Sequence, residues 1–467
     1  MADVPLPGAE LTLEAGGPHL AASIPPAVRG LLDQLGSAGF AAYVVGGSLR
    51  DLLSDRPVHD WDLATSARPE RTQALFPGAV YENGFGTVAV DSGDASVGIV
   101  QVTTFRSDHD YADFRRPHHV EFGESIELDL ARRDFTINAI AWGTEPGAPA
   151  GLVDPYGGRD DLAAGILRAV GDPATRFRED ALRMVRAVRL AASLELTIEP
   201  ATLAAIGREA ALVRHLSGER IARELGRILE APRPSVALRL LADTGLLAVL
   251  WPDLAAQRAV PQNKAPGEDL WDHTLRSVDA ASDPRIRLAA LLHDIGKPST
   301  MADGRFVGHE VVGADLARRL LDDLRWQHAE RDTIVRLIRQ HMFGYVPSWS
   351  DAAVRRFIAK VGRDLLDDLF LLREADYVGS GRSPEAGDLA ELRQRVAAQL
   401  SAGVALDRGG LAIDGSDLIR ELGVAPGPLI GRILDRLLER TIADPTTNTR
   451  ERLLRAARSM AAQGPTT

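Results

Sequence analysis

The hydrophobic period of this 467-residue chain changes once, near residue 160, and that change restricts its fold more than any single motif does. Ahead of it, "AAYVVGGS", "TVAVDSG" and "SVGIVQVTTFR" are β-rich runs separated by turn residues. Behind it, apolar residues recur at three- and four-residue spacing, as in "EDALRMVRAVRLAASL" and "IGRILDRLLERTIA". Such a chain is expected to be α+β: a small N-terminal sheet head with helices, then a long all-helical neck, body and tail. Its length exceeds what one core serves and predicts roughly three or four domains. Pro-bearing breaks near 231–234, 261–266 and 381–387 offer joints. The expected segments are a disordered tail at 1–25, the head at 26–160, a helical neck and body at 161–265, a second functional domain at 266–380 and a helical tail at 381–467.

In the head, "VVGGSLRDLLSDRPVHDWDLAT" (44–65) sets Gly46 and Gly47 upstream of Asp60 and Asp62. Consecutive glycines after an apolar strand let the backbone approach a ligand closely, with amides available to phosphate oxygens. Asp60 and Asp62 are two apart, so on a strand they project from one face. Carboxylates that close repel each other unless a cation lies between them. The chain has no cysteine, which excludes disulfides and thiolate metal sites. Hard oxygen ligands point to Mg²⁺, whose usual partner in in-line attack at phosphorus is a triphosphate.

A net charge of −11 argues against a nucleic-acid partner on average, but binding needs only a local patch. Of the basic residues, Lys264, Lys297 and Lys360 are the lysines and the rest are arginines, which suit bidentate contacts to phosphates and bases, although a compositionally biased genome produces the same skew and is the larger part of the explanation. No apolar run approaches the ~20 residues that span a bilayer. The first 25 residues lack a basic n-region and an apolar h-region, so a cytoplasmic protein with no membrane partner is expected.

The Gly-Gly and Asp-x-Asp elements resemble the head of class II tRNA nucleotidyltransferases, the CCA-adding enzymes, and of the related bacterial poly(A) polymerases. Further segments match in order: "TTFRSDHDYADFRRPHHVEF" resembles the loop between the halves of the head, and "RRDFTINAIAW" (132–142) the ribose-binding motif. "EDALRMVRA" (179–187) resembles the base-reading helix, and "SGERIAREL" (217–225) the helix that braces it. The resemblance implies addition or repair of the 3′-terminal CCA of tRNA from CTP and ATP, with Asp60 and Asp62 holding two Mg²⁺ ions. Gly46, Gly47, Ser48 and Arg50 would cradle the phosphates. Asp134 would accept from a ribose hydroxyl, with Arg133 and Asn138 reaching sugar or phosphate. Tyr111, Phe114, Arg115 and Arg116 would form a loop that reshapes the site between C and A. The family usually carries a glutamate in the strand before "VTTFR"; Gln101 stands here, so either the pair suffices or Asp113 or Glu121 compensates.

Asp180 and Arg183, three apart, are expected on one helical face, with Glu179 one turn from Arg183. Cytosine and adenine both present an exocyclic amine beside a ring-nitrogen acceptor. A carboxylate can accept from the first and a guanidinium donate to the second, whereas uracil and guanine reverse the pattern and leave partners unpaired. The resemblance implies this role for Asp180 and Arg183, oriented by Glu179 and Arg186.

Downstream, "LWDHTL" and "LAALLHDIGKP" bring a second constellation: His273, the adjacent His293 and Asp294, and Asp376 in "READYVGS". In this order they are similar to the HD phosphohydrolase superfamily, which implies a second divalent metal and phosphoester hydrolysis. Gly296 and Pro298 are expected to end the helix that carries His293. His309 and His341 would be extra ligands or substrate contacts. The rival readings are a poly(A) polymerase on the same head, an HD phosphohydrolase with a silent head, and a non-catalytic RNA-binding module. No motif in the sequence specifies an oligomeric state.

Overall fold

The computed structural model describes residues 18–81, 86–111, 117–123, 125–261 and 268–462. Asp113, Phe114, Arg115 and Arg116 lie outside the described residues, as do the side chains of Tyr111 and Glu121. The chain divides into two compact units, the first ending at Pro252 and the second beginning at Asp253.

The first unit is built on a seven-stranded mixed sheet. Helix α1 (Pro26–Ser37) leads into β1 (Ala42–Val45), helix α2 (Gly46–Leu53) and β2 (Trp61–Thr65). Strands β3 (Val80–Tyr81), β4 (Thr87–Asp91) and β5 (Ile99–Thr104) follow, then the hairpin β6 (Arg106–Tyr111) and β7 (Pro117–Phe122). Helix α3 (Ile126–Ala131), β8 (Ala141–Thr144) and β9 (Gly151–Val153) complete the head. The sheet order is β3-β4-β5-β2-β1-β8-β9, with β2 and β5 parallel. Alternation divides the core between the two faces. Val44, Trp61 and Leu63 pack with Val28, Leu31 and Leu35 of α1, whereas Tyr43, Val45 and Ala64 pack with Phe105, Ile126 and Leu130. Asp62 shares the parity of Ala64, which puts it on the second face, toward α3 and the segment after it.

Residues 18–25 are not a tail. Pro18–Ser23 is helical, and Leu20 and Ile24 join the α1 core cluster. Fully burying one such side chain contributes about 1.5–3 kcal/mol, enough to hold a short proline-flanked segment against the sheet.

Helices α4 (Pro173–Glu179), α5 (Leu182–Leu194) and α6 (Gly218–Glu230) follow the head. The expected continuous helix through 179–194 is interrupted: Asp180 is extended (φ −147°, ψ 104°), and its carboxylate accepts from the Leu182 amide at 3.1 Å. Asp180 and Arg183 therefore do not share a helical face. The break is stabilised because a carboxylate at the start of α5 satisfies one of its otherwise unpaired amides.

The second unit is helical. Its elements include α7 (Leu270–Ala280), α8 (Pro284–Leu292), α9 (His309–Asp323), α10 (His328–Gln340), α11 (Leu366–Gly379) and α12 (Pro428–Ala443). Asp269 and Asp272 close a capping box on α7, and Asp283 caps α8 ahead of Pro284. Gly296 is not a left-handed helix stop: its φ is −80°, and Pro298 lies inside the next short helix, Lys297–Thr300. Its lack of a side chain serves packing instead, since a Cβ there would lie 2.3 Å from the His309 carbonyl oxygen and 2.6 Å from the Gly313 nitrogen. Gly379 acts similarly, where a Cβ would meet Ser277 Oγ at 1.9 Å. These two contacts draw α9 and α11 close enough for side chains from separate helices to meet. No helix among the described residues is long and apolar enough to cross a membrane.

Candidate active site

Two clefts in the first unit meet at Asp62. One, of about 400 Å³, is lined by Gly46, Gly47, Asp62, Arg133, Asp134 and Asn138 and, across from them, by Asp180, Arg183, Arg186 and Arg220. The adjoining one, of about 750 Å³, holds Asp60, Ser48 and Arg50 together with Arg56, Arg189 and Arg227. The first cleft carries five arginines, Arg132 included, against three aspartates, so a chain of negative net charge still offers a locally cationic surface.

Backbone geometry explains the glycines. Gly46 opens α2 with φ +70°, and a Cβ there would sit 2.9 Å from Arg133 Nη1 and 3.9 Å from Asp62 Oδ2. At Gly47 the nearest atom would be Arg50 Nη2, at an ordinary 3.6 Å. Gly46→Ala is expected to lower stability in urea unfolding by about 1–2 kcal/mol from the left-handed backbone alone, and to raise KM for the nucleotide by displacing Arg133. Gly47→Ala is expected to change stability far less, and an equal loss in both variants would contradict this assignment.

Asp60 lies one residue ahead of β2 and is exposed; Asp62 is inside the strand and half-buried. Burial pushes the Asp62 carboxyl above its ordinary range, Arg133 and Arg50 oppose the rise, and Asp60 adds to it. Ser48 is turned inward: its hydroxyl donates to the Val45 carbonyl at 2.8 Å and accepts from the Asp62 amide at 3.3 Å. It fixes the strand that presents Asp62. Beside Asp62 on the parallel strand β5 stands Gln101.

A chain of charge-assisted bonds holds the other side chains. Arg50 donates to Asp51 at 2.6 Å and, through Nη1, to Asn138 Oδ1 at 2.8 Å. Asn138 Nδ2 donates to Asp134 Oδ1 at 3.0 Å, and Arg186 Nη2 lies 2.7 Å from Asp134 Oδ2. Burial alone would raise Asp134, but Arg186, Asn138 and Arg183 outweigh it and hold the carboxyl well below the usual carboxylate range. With the Phe135 amide also donating to Oδ1, Asp134 would meet a ribose hydroxyl only by giving up an existing partner.

The acids behind the arginines belong to none of the motifs that the sequence singles out by chemistry. Asp129, fully buried in α3, accepts from Arg132 at 2.5 Å and Arg133 at 3.0 Å. Glu224 of α6 accepts from Arg189 Nε at 2.6 Å and lies 3.9 Å from Arg186. Arg220, also on α6, donates to both Asp180 oxygens at 3.1 and 2.7 Å. Arg183 donates to Glu179 at 2.8 Å and to the Arg132 carbonyl at 2.8 Å. The signal for Asp129 was its i+3 and i+4 spacing to Arg132 and Arg133; Arg220 and Glu224 lay within the bracing segment itself.

In the second unit, all six HD-type side chains converge. His273 Nε2 is 3.2 Å from His293 Nε2, 3.4 Å from Asp294 Oδ2 and 3.4 Å from Asp376 Oδ1. His309 and His341 approach the other oxygen, Asp294 Oδ1, at 3.4 and 3.7 Å. Burial would raise Asp294, but His293 and Lys297 hold it well below the ordinary carboxylate range. Burial, reinforced by His293, pushes His341 down to about 3, leaving the neutral imidazole that ligates metals. Arg373 holds Asp376 Oδ2 at 2.9 Å.

Comparison with known proteins matches the same segments. Residues 42–168 match the family model described as "Poly A polymerase head domain", 195–258 that of the "Probable RNA and SrmB- binding site of polymerase A", 270–380 "HD domain" and 384–457 "tRNA nucleotidyltransferase domain 2". The CCA-adding enzyme of Geobacillus stearothermophilus is 47% identical over 233 residues, an alignment covering 49% of this chain and 55% of that protein. The CCA-adding enzyme of Geobacillus kaustophilus is 36% identical over 435 residues, covering 91% of this chain and 94% of that protein. The crystal structure of the Bacillus stearothermophilus CCA-adding enzyme in complex with CTP superposes with a TM-score of 0.68 at 29% identity, covering 94% of this chain and all of that one. Resemblance carried by near-full-length sequence, by fold and by a head cleft bearing the expected acids and arginines leads to one conclusion: this chain belongs to the family of CCA-adding enzymes.

Proposed function

We propose that the chain adds or repairs the 3′-terminal CCA of tRNA from CTP and ATP, with Asp60 and Asp62 holding two Mg²⁺ ions. The observation that carries this reading is one cleft walled by Gly46, Gly47 and Asp62 on one side and by Asp180 and Arg183 on the other. The acidic pair fits a hard divalent ion, because burial and Asp60 both disfavour a bare negative charge on Asp62. When bound, such ions lower the pKa of the attacking 3′-hydroxyl and neutralise the departing pyrophosphate.

The protein's own contributions are positional. Gly46 and Gly47 bring backbone to the triphosphate, and Arg50, fixed by Asp51 and Asn138, holds positive charge beside it. Arg133, braced by Asp129, reaches sugar or phosphate in the same cleft, and Asp134 sets the position of Asn138 and Arg186. Asp180 accepts from the amine of cytosine or adenine once Arg220 yields an oxygen, and Arg183 donates to the ring nitrogen. Arg56, Arg189 and Arg227 in the adjoining cleft suit the phosphates of the tRNA end, so that the 3′-hydroxyl and the nucleotide meet at Asp62. We assign the activity to the cytoplasm. Membership in the CCA-adding family through near-full-length relatives argues against the poly(A) reading.

Divalent-ion dependence tests the metal assignment. CTP incorporation onto tRNA lacking CCA is expected to stop on chelation. Gln101→Glu, which restores a carboxylate beside Asp62, is expected to lower the Mg²⁺ concentration for half-maximal rate by about tenfold. An unchanged Mg²⁺ dependence would put residue 101 outside the reach of the ions.

The converging His and Asp side chains of the second unit favour a second reading. We assign residues 270–380 a divalent-metal site and phosphoester hydrolysis, in which water bonds to phosphorus as the ester P–O bond breaks and its proton passes to the leaving oxygen.

A further inference from the structure

Glu224 stands between the two clefts of the first unit. It is 4% exposed on α6, where Arg220 precedes it by one turn and Arg227 follows it by three residues, so the three share a helical face. Arg220 lines the first cleft with Asp180, and Arg227 lines the adjoining one. The two oxygens of Glu224 are divided in the same way. Oε2 accepts from Arg189 Nε at 2.6 Å, and Arg189 lines the adjoining cleft. Oε1 lies 3.9 Å from Arg186 Nη1, and Arg186 lines both clefts.

The bonds around Asp134 give that division a consequence. Asp134 Oδ1 accepts from the Phe135 amide at 2.9 Å and from Asn138 Nδ2 at 3.0 Å. Oδ2 accepts from Arg186 Nε at 2.8 Å, with Arg186 Nη2 at 2.7 Å. A carboxylate offers about four lone-pair sites, so a ribose hydroxyl reaches Asp134 only by displacing a donor. Arg186 is the donor with a second carboxylate in reach, Oε1 of Glu224. Its arrival there would crowd Arg189. Burial holds the Arg189 pKa below its ordinary value, Glu224 opposes that effect and the neighbouring Arg186 adds to it. Among the described residues the Arg189 guanidinium has no acceptor besides Glu224, and the cleft it lines also holds Arg56 and Arg227. Three cations gathered there call for an anion.

We propose that Glu224 is a positioning residue that couples the nucleotide cleft to the cleft for the tRNA end. A ribose hydroxyl on Asp134 moves Arg186 toward Glu224. Arg189, now sharing its carboxylate with a second cation, turns its terminal nitrogens to a backbone phosphate of the tRNA 3′ end. The two-state element is the Arg186 guanidinium, which has an acceptor on either side. Bound nucleotide therefore tightens the hold on tRNA, and by reciprocity bound tRNA tightens the hold on nucleotide by the same factor. The inference rests on the nucleotidyl-transfer reading above, with nucleotide in the first cleft and the tRNA end in the second, and adds the residue that links them.

The test reads the coupling and not turnover. Kd of the full-length protein for a tRNA ending immediately before CCA is measured with and without saturating α,β-methylene-CTP, which binds without transferring. The parent is expected to hold the tRNA about tenfold more tightly with the analogue present. Glu224→Gln keeps the shape and removes the charge; it is expected to bind each ligand alone and to show no coupling, with thermal melting confirming its fold. Arg189→Gln removes the group that moves, so the analogue is expected to leave its tRNA affinity unchanged, and this variant decides the matter should Glu224→Gln fail to fold. Coupling of parental size in either folded variant, or none in the parent, would overturn the link through Glu224 while leaving the nucleotidyl-transfer reading in place. A parent that binds neither the analogue nor the tRNA would overturn that reading as well.

Discussion

Asp62→Asn is expected to lower kcat/KM for CTP incorporation by at least about a thousandfold, roughly 4 kcal/mol of transition-state stabilisation, while leaving the fold intact. The carboxylate stands where the two clefts meet, and no other group among the described residues there combines negative charge with a position on the strand beside Gly46. Asparagine keeps the shape, so the loss would report charge and not packing. Stability should move the other way. Burial raises the Asp62 pKa in the folded protein above its ordinary 3.8. Between 3.8 and that raised value the folded state holds more protons than the unfolded one, so stability falls as pH rises through this window and stays reduced above it. The neutral variant lacks that loss. In the presence of a chelator at pH 7 it should unfold at a urea concentration equal to or above that of the parent, with the difference vanishing below pH 3.8. A variant that is inactive and also less stable would mean that Asp62 serves packing.

Removing the base-reading pair should change selectivity more than folding. Asp180→Ala is expected to reduce the ratio of kcat/KM for CTP over UTP by about a hundredfold or more, near 2.7 kcal/mol, and the ratio for ATP over GTP in parallel. The magnitude follows from the asymmetry of polar recognition: a wrong base leaves Asp180 and Arg183 facing like groups, and unpaired buried partners are heavily disfavoured. Arg183→Ala should act in the same direction, since its guanidinium, held by Glu179 and the Arg132 carbonyl, fixes the other half of the pattern. Arg220→Gln is expected to lower the efficiency for CTP and ATP together while preserving their preference over UTP and GTP, because Arg220 positions Asp180 through both its oxygens. Steady-state kinetics with the four nucleotides on one tRNA would separate these outcomes. Retained selectivity in Asp180→Ala would remove that residue from base reading.

Those expectations depend on features of unequal legibility. Gly46, Asp60 and Asp62 were readable from local chemistry, a glycine turn followed by an acidic pair, whereas Arg133 and Asp134 were reached through the family resemblance of "RRDFTINAIAW". The division into a sheet head and a helical remainder was readable from the period of the apolar residues. The break at Asp180 was not, since helices α4 and α5 each keep their apolar face and a one-residue extension between them leaves the period almost unchanged. Gly296 was misread for a related reason. A glycine two residues ahead of a proline suggests a helix stop, whereas here it answers to the carbonyl of His309, a contact across the fold that no local pattern encodes. Leu20 and Ile24 were lost in a segment whose Pro, Gly and Ala content masked two core residues. Asp129 and Glu224 were overlooked because buried acids resemble surface ones until the arginines they hold are placed.

One measurement bears most directly on the central claim, that this head builds CCA. A tRNA transcript ending immediately before CCA is incubated with CTP alone, ATP alone and both, and the products are resolved at single-nucleotide length. Two added residues are expected with CTP, three with both nucleotides and no further growth. Long A tracts that form with ATP regardless of CTP would contradict it and return the chain to the poly(A) reading.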